Sequence, residues 1–248
     1  MTDATPGFSA STEYHPLYAQ VKALLVKRIG SGAWKPGEML PSEFELAAEY
    51  NVSQGTVRKA LTALETDRLI VRRQGRGTYV ARHSRDQTLF HFFRMVGLDD
   101  YRLVPTSIVL TQGRQRATQE QAGQLSVKLN AMLHAIVRTR NLQGEPAIFE
   151  RIFVPIALMP KLQVESLTEM RDEMYVVYQE RFGITIARAS ERLLAVTATD
   201  EEASYLKISA GAPLLEIVRV ARDVNGRPVE LRVSRCNTNQ SRYAAEIS

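Results

Sequence analysis

A cluster of short polar and basic side chains follows a turn in the first quarter of the chain, within the stretch NVSQGTVRKAL. Glutamine can pair with adenine in a bidentate manner, arginine with guanine or phosphate, and serine or threonine with phosphate oxygens. A glycine among them lets the backbone approach a ligand closely. The cluster is therefore suited to contacts with nucleic acid, and its members are Ser53, Gln54, Gly55, Thr56, Arg58 and Lys59.

Three predicted helices position this cluster. The first begins after Pro16 and covers residues 17–31, and the second begins at a capping box of Ser42 and Glu45. The third begins at Ser53, and its apolar face at helical spacing carries Val57, Ala60, Leu61 and Leu64. A helix, a short turn and a second helix predict a helix-turn-helix, whose recognition helix enters the major groove with its N-terminal residues leading.

A basic hairpin is predicted directly after the third helix. The stretch RLIVRRQGRGTYVAR alternates in two short runs around a glycine-rich tip. Three helices followed by such a hairpin predict a winged helix-turn-helix, and the wing residues expected along the minor groove or the backbone are Arg73, Gln74, Gly75 and Arg76. Taken singly, each residue also fits a structural role, such as a cap at Ser53 or a turn at Gly75. The whole ordered set on one basic unit favours DNA binding.

The distribution of charge supports a polyanionic partner for the N-terminal third. The chain of 248 residues has a net charge of +5, and residues 14–85 hold 12 Lys/Arg against 6 Asp/Glu, whereas residues 86–248 hold 20 against 19. A solvated basic surface is the alternative explanation. No apolar run is long enough to span a bilayer, and the N-terminus has neither a basic n-region nor an apolar h-region, so no signal peptide is expected. A single cysteine, Cys236, fits a reducing cytoplasm best.

Residues 16–80 resemble the DNA-binding domain of the GntR family of bacterial transcription regulators. The motifs KPGEMLPSE, VSQGTVRKAL and GRGTYV stand at the family's spacing. The resemblance implies that Arg58 and Gly75 match the family's recognition-helix arginine and wing glycine, and it extends the expected DNA-binding set to Ser42 and Phe44. Phe44 and Gln54 stand where the family often has arginines that contact DNA, so the operator sequence cannot be transferred from relatives. Phe44 could pack on sugar or a thymine methyl group, or be buried.

The C-terminal two thirds alternate predicted strands and helices. Helices are indicated near residues 118–128, 166–182 and 199–208, with capping boxes at Thr118/Gln121, Ser166/Glu169 and Thr199/Glu202 and a terminating Gly183. Strands are indicated at residues 107–111, 133–142, 147–154, 187–196, 213–223 and 229–237. The hairpins IVRTRNLQGEPAIFERIFV and IVRVARDVNGRPVELRVSR share I-V-R and a G-x-P turn, which indicates a weak internal duplication and favours an antiparallel sheet in an α+β domain.

This region, roughly residues 89–247, resembles the UTRA effector domain of HutC-type GntR regulators, which is similar in fold to chorismate lyase. In relatives these strands line a small-molecule pocket, and the matching positions here are Arg138, Arg140, Glu150 and Glu230. Arg138 and Arg140 point to the same face of an alternating strand and could hold a carboxylate or phosphate. The glutamates could accept hydrogen bonds from hydroxyl or amine groups of the same ligand. Charges that lie on the sheet surface, or that pair with each other, are the alternative.

The sequence as a whole predicts a homodimeric, metabolite-responsive transcription regulator. The expected organisation is a flexible tail at residues 1–13, a winged helix-turn-helix at 14–82, a linker at 83–90, and an α+β effector and dimerisation domain at 91–248. The expected partners are a pseudo-palindromic double-stranded operator and a small anionic effector, and repression is the family's usual mode. A chorismate-lyase-like enzyme fused to a DNA-binding module is the alternative. No metal-ligand spacing or nucleophile motif supports it, so we expect no metal, no cofactor and no catalytic residue.

Overall fold

The computed structural model describes residues 16–82, 92–163 and 174–245. The expected tail at 1–13, the expected linker at 83–90 and the expected capping box of Ser166 and Glu169 lie outside the described residues. Contacts within the chain divide it after Arg82 into two compact units. Among the described helices, none has the length and apolar character needed to cross a membrane.

The first unit consists of three helices and a hairpin. The elements are α1 (Leu17–Gly30), α2 (Glu43–Glu49), α3 (Gln54–Thr66), β1 (Ile70–Arg73) and β2 (Gly77–Val80). The apolar stripe predicted for α3 is buried in full, together with one face of α1, and the buried residues of the two helices are Val21, Leu25, Ile29, Val57, Ala60, Leu61 and Leu64. This packing holds the opposite side of α3 out to solvent.

Side-chain caps fix where α2 and α3 begin. The Ser42 hydroxyl accepts from the amide of Glu45, and the Glu45 carboxylate accepts from the amide of Ser42, which completes the predicted capping box. The Ser53 hydroxyl accepts from the amide of Thr56 at the start of α3. Asn51, between the helices, adopts a left-handed conformation with φ of 52°. The predicted helix-turn-helix is therefore present, with α3 as its second helix.

The second unit is built on an antiparallel sheet, as the sequence predicted. Its elements are β3 (Met95–Gly97), β4 (Thr106–Arg116), α4 (Gln119–Leu125), β5 (Met132–Leu142), β6 (Glu145–Pro155), α5 (Met174–Phe182), β7 (Ile186–Thr197), α6 (Asp200–Leu206), β8 (Pro213–Asp223), β9 (Pro228–Cys236) and β10 (Ser241–Tyr243). In the described residues, six of the strands form one sheet in the order β4-β5-β6-β9-β8-β7. The short strands β3 and β10 pair separately.

The sheet carries an internal duplication that is wider than the two hairpins. The order strand, helix, hairpin occurs twice, as β4-α4-β5-β6 and as β7-α6-β8-β9, and the halves meet where β6 pairs with β9. Thr118 and Thr199 form equivalent capping boxes for α4 and α6. Ser126 and Lys207 end these helices in the same left-handed conformation. Equivalent positions of the two halves can therefore be compared directly.

The two faces of the sheet have different coverings. On one face, α4 packs on Leu133, Phe153 and Leu231, and α6 packs on Phe149 and Leu214. The other face is covered by α5 and by apolar side chains from the connecting segments, which are Phe92, Met159 and Leu162. The predicted stop at Gly183 ends α5, with φ of 66° and its amide donating to the carbonyl of Gln179.

Candidate functional site

The exposed tip of α3 has its short side chains held by its own cap. The hydroxyls of Ser53 and Thr56 lie 2.9 Å apart, in addition to the cap that Ser53 gives to the Thr56 amide. Gln54, Gly55 and Lys59 are exposed. The polar side chains of the first turn are thus presented together, as a groove-reading helix requires.

Arg58 is exposed but held in place by residues of two other elements. Its Nε donates to Glu43 Oε2 at 3.0 Å, and its Nη2 lies 2.9 Å from the same oxygen. Arg72 on β1 also reaches Glu43, at 3.7 Å, and its Nη2 donates to the carbonyl of Arg58 at 3.4 Å. The Arg58 side chain retains 63% of its accessible surface. Glu43 therefore orients an arginine that remains open to a base or phosphate.

Ser42 and Phe44 lie at the start of α2 and both are exposed. Phe44 keeps 69% of its surface accessible, so the alternative that it is buried is wrong for this chain. A large apolar ring exposed in that position is available to a sugar or a thymine methyl group.

The hairpin tip is a tight, basic turn. The amide of Arg76 donates to the carbonyl of Arg73 at 2.9 Å, and Gly75 adopts a φ of 69° that side-chain-bearing residues rarely adopt. The guanidinium of Arg73 stacks 4.8 Å over the ring of Tyr79, whose hydroxyl donates to the carbonyl of Arg76. Together with the exposed Gln74, the wing presents two guanidinium groups on a fixed turn.

The four charged residues expected to bind a ligand in the second unit are buried on one face of the sheet. Arg138, Arg140, Glu150 and Glu230 keep between 0% and 5% of their surface accessible, so they are not sheet-surface charges. Arg138 and Glu150 lie opposite each other on β5 and β6 and form an ion pair, with Nε donating to Oε2 at 2.6 Å. The alternative that these charges pair with each other therefore holds for Arg138 and Glu150.

Glu150 connects this pair to strand β9. Its Oε1 accepts from the hydroxyl of Ser234 at 3.0 Å and lies 3.7 Å from Nη1 of Arg232. Burial alone would raise the pKa of Glu150. The charges of Arg138, Arg232 and Arg140 outweigh burial and hold this pKa well below its ordinary value. Glu150 is therefore ionised near neutral pH.

Glu230 is already fully hydrogen-bonded within the protein. It accepts from the hydroxyls of Tyr175 and Tyr178, at 3.2 and 2.7 Å, and from Nε and Nη2 of Arg232, both at 3.0 Å. Burial, followed by the Glu230 charge, raises the pKa of Tyr175 to about 12 and also raises that of Tyr178, so both phenols stay protonated donors. A carboxylate has about four acceptor positions, so Glu230 can accept from a ligand only by releasing one of these donors.

Further charged residues lie on this face. Arg219 on β8 pairs with Glu191 on β7, and their side chains are 12% and 13% exposed. The set then comprises four arginines and four acidic residues, which are Arg138, Arg140, Arg219, Arg232, Glu150, Glu191, Asp223 and Glu230. Nη2 of Arg138 is buried and has no hydrogen-bond partner among the residues that the structure describes. A buried guanidinium with an unused donor favours an anion at this position.

Sequence reasoning missed part of this cluster. Arg232 and Ser234 follow Glu230 at alternate positions on β9, so the period of two places them on the same face as the predicted Glu230. That spacing was a usable signal. Tyr175 and Tyr178 pack in the core on α5, and their hydroxyls also complete the shell of Glu230.

Cys236, also on this face, does not have the surroundings of a nucleophile. Its side chain is fully buried, and burial raises the pKa of its thiol. His134 on β5 is buried as well, and its Nε2 donates to the carbonyl of Met159 at 2.8 Å. Burial lowers the pKa of His134, so the ring is neutral near pH 7 and serves to join β5 to the segment after β6.

Two family models match the chain, one for each unit. Residues 17–80 match the model for bacterial regulatory proteins of the gntR family, and residues 100–242 match the UTRA domain. The second match covers more than half of the chain. Each of the two units therefore contains one of the two matched regions.

Similar proteins that are named as transcriptional repressors match over most of their length. A fructoselysine utilization operon transcriptional repressor of Escherichia coli K12 is 28% identical over 90% of this chain and 91% of its own length. The transcriptional repressor NagR of Bacillus subtilis is 31% identical over 87% and 88%. The histidine utilization repressor of Pseudomonas aeruginosa is 30% identical over 82% and 80%.

Solved structures support the same architecture. The ligand-binding domain of a GntR-family transcriptional regulator from Bordetella bronchiseptica has a TM-score of 0.61 and 25% identity, covering 68% of this chain and all of that one. YydK of Bacillus subtilis has a TM-score of 0.57 and 24% identity, covering 94% of this chain and all of that one. The latter likeness shows that both units occur together in one known fold.

Proposed function

The chain belongs to the GntR family of bacterial regulatory proteins, in the HutC-type branch that carries a UTRA domain, and on this premise we propose how it binds DNA and what releases it. The named relatives are transcriptional repressors. This chain is likewise a metabolite-responsive DNA-binding transcription regulator and not an enzyme. Its DNA-binding domain is proposed at residues 14–82, a linker at 83–90 and its effector domain at 91–248.

The proposed DNA contacts come from three places on the first domain. The tip of α3 reads base edges through Gln54 and Arg58, while Ser53, Gly55, Thr56 and Lys59 approach phosphates. Ser42 and Phe44 at the start of α2 contact the sugar-phosphate edge, and the wing contributes Arg73, Gln74, Gly75 and Arg76. Two such domains in a homodimer would bind the two halves of a pseudo-palindromic operator, since a two-fold protein matches a two-fold site. With DNA as its target, the protein is proposed to act in the cytoplasm.

The proposed effector is a small organic anion that enters the effector domain beside Arg138 and Arg140. The observation that carries this proposal is the buried, unused Nη2 of Arg138. A carboxylate or phosphate there would accept a charge-assisted hydrogen bond from it. Glu150 would share Arg138 with the ligand, and Glu230 would act through Arg232 and the two tyrosines.

The names of the relatives support an anion with a carboxylate. Fructoselysine and histidine appear in the names of two repressors, and mannosyl-D-glycerate appears in the name of a third, the repressor MngR of Escherichia coli, which is 29% identical. All three compounds carry a carboxylate together with hydroxyl or amine groups. We propose an effector of that class for this chain, and repression relieved by the effector as its mode of action.

Fluorescence anisotropy of the protein on DNA from its own upstream region tests this function. We expect tight binding that weakens as salt rises, because phosphate contacts release counterions. A panel of carboxylates and phosphate esters, including the three compounds above, should contain at least one that releases the DNA. Binding that no anion in the panel changes, while neutral sugars release the DNA, would contradict the anionic effector but leave the regulator in place.

A control variant distinguishes the loss of a positive charge in general from the loss of a DNA contact. Lys128→Ala removes one positive charge from an exposed position of the effector domain. It should leave both DNA affinity and effector response unchanged, whereas the same loss of charge at Arg58 should weaken DNA binding. Stronger transcription of the neighbouring operon when the effector is supplied would support repression, and weaker transcription would count against it.

A further inference from the structure

The internal duplication places two arginines at equivalent positions with different partners. Arg138 and Arg219 are the arginines of the two I-V-R sequences, on β5 and β8. Arg138 lies opposite Glu150 on its neighbouring strand, whereas Arg219 lies opposite Arg232. Arg138 therefore faces a carboxylate and keeps Nη2 unused. Arg219 faces a second cation and takes its partners from other elements.

The partners of Arg219 come from the segment that begins the described part of the effector domain. Its Nε donates to Glu191 at 2.6 Å, and its Nη2 donates to the backbone carbonyl of Phe92. Tyr243 on β10 donates its hydroxyl to the other oxygen of Glu191. Residues 92–97, here called the leading segment, are thus attached to β7, β8 and β10 through one guanidinium and one carboxylate.

The leading segment also contacts the proposed effector site directly. The ring of Phe92 packs edge-on against Tyr175, with centroids 5.0 Å apart, and Tyr175 donates to Glu230. The guanidinium of Arg140 lies 4.7 Å from the centre of the Phe93 ring. In sequence, residues 83–91 alone separate this segment from the DNA-binding domain. Two consecutive phenylalanines therefore link the charge cluster to the chain leading from the DNA-binding domain.

We infer that Arg219, with Glu191 and Tyr243, is a clamp on Phe92 that transmits occupancy of the effector site to the DNA-binding domain. This inference rests on the proposed function. An anion beside Arg138 and Arg140 would compete with Glu150 for Arg138 and with Phe93 for Arg140. Glu150 would then turn further toward Arg232, the cation opposite Arg219. Arg219 is a positioning residue in this account, because it acts on the leading segment and not on the ligand.

If the clamp operates, a variant of Arg219 should still bind the effector but should lose the response of the leading segment to binding. In Arg219→Lys the charge beside Glu191 is kept, but one ammonium cannot replace the guanidinium fork that spans Glu191 and the Phe92 carbonyl. Effector binding should survive, because Arg138 and Arg140 are untouched. The response of the leading segment should be lost.

Hydrogen exchange and titration calorimetry on the full-length protein, with inorganic phosphate as the anion probe, test this inference. Without phosphate, amides of residues 92–97 should exchange about tenfold faster in Arg219→Lys, as loss of a hydrogen bond to a charged group implies. Tyr243→Phe, which removes only the support of Glu191, should give a smaller acceleration. Arg222→Lys is the matched control, because Arg222 is on the same strand but donates to the carbonyl of Gly226.

Measurements with added phosphate then test the clamp and the effector site independently. The expected result is that phosphate binds wild type and Arg219→Lys equally but changes exchange at residues 92–97 only in wild type. Equal exchange of the leading segment in wild type and Arg219→Lys would overturn the clamp while leaving the anion site intact. Phosphate that binds wild type without altering residues 92–97 would also overturn it. A wild-type protein that binds no phosphate would instead contradict the anion site, and the inference would fall with it.

Discussion

The two candidate sites of this protein use arginine in opposite ways. Arg58 on the DNA-binding domain is 63% exposed and is steered by a half-exposed carboxylate, whereas Arg138 in the effector domain is 3% exposed and tied to a buried one. An exposed arginine contributes to binding at little risk to the fold. A buried arginine is part of the fold's own charge balance, so any change there affects both stability and ligand binding.

The largest expected effect is on the stability of the effector domain, and it comes from the buried charge cluster. Glu150→Gln leaves Arg138 and Arg232 without a carboxylate they share, and should cost about 3–5 kcal/mol of unfolding free energy. Scanning calorimetry of the effector-domain transition would measure it. The matched control on the same strand is the exposed Glu145→Gln, expected to change stability by no more than about 0.5 kcal/mol. Equal melting of the two variants would contradict a coupled buried cluster.

Arg138→Ala tests whether the same buried site binds the effector. Affinity for the anion identified on the panel should fall by about 2–5 kcal/mol, because a buried charge partner is lost. Titration calorimetry measures it, with operator binding in the absence of effector as the control that the fold persists. An unchanged affinity would place the ligand away from Arg138.

Arg58→Ala tests the exposed side. Operator affinity should fall by about 1–3 kcal/mol, as expected for one bidentate base contact, with the melting temperature nearly unchanged. Effector affinity should be that of wild type. If affinity falls by the same factor on unrelated DNA, Arg58 contacts phosphate and not a base.

Glu43→Gln examines the carboxylate that steers Arg58. It removes the ion pairs of Glu43 with Arg58 and Arg72, so the preference for operator over unrelated DNA should fall while total DNA affinity changes little. Competition anisotropy with the two DNAs gives this ratio. A gain in operator preference would mean that Glu43 withholds Arg58 from the DNA.

The smallest expected effect concerns pH. Burial depresses the pKa of His134, so its contribution to stability is present above about pH 6.5, its ordinary unfolded value, and is lost as pH falls through the lower folded value. When the pH is lowered from 7.5 to 5.5, about one unit above and one below the unfolded pKa, the melting temperature of wild type should therefore fall more than that of His134→Gln. Equal losses would mean that His134 binds a proton as readily in the folded protein as in the unfolded chain, so that its pKa is not lowered.

Local signals in the sequence predicted most of the elements. The capping boxes at Ser42, Thr118 and Thr199 predicted helix starts to within a residue, because a cap is a property of four neighbouring positions. The period of two predicted β8 with its observed bounds. Strand β4 extends five residues beyond its predicted end at Thr111, since its later residues are polar on an edge strand and give no alternation of hydrophobicity.

The partners within the sites could not be read from the sequence. Glu43 and Arg58 are 15 residues apart, and Glu150 and Ser234 are 84 apart, so their contacts depend on helix packing and on strand register. The sequence predicted that Arg138 and Arg140 share a face. It could not predict that Glu230 would be saturated by Tyr175, Tyr178 and Arg232, because the order β6-β9 at the centre of the sheet is a tertiary property.

The central claim is that this regulator has an exposed DNA site and a buried anion site. Its most direct test is the release of upstream DNA by the effector, measured by anisotropy for wild type and Arg138→Ala side by side. We predict that both bind the DNA equally without effector, and that the concentration needed for release rises at least about 30-fold in the variant, the lower bound of the expected loss in affinity. Release of both proteins at the same concentration would contradict the account.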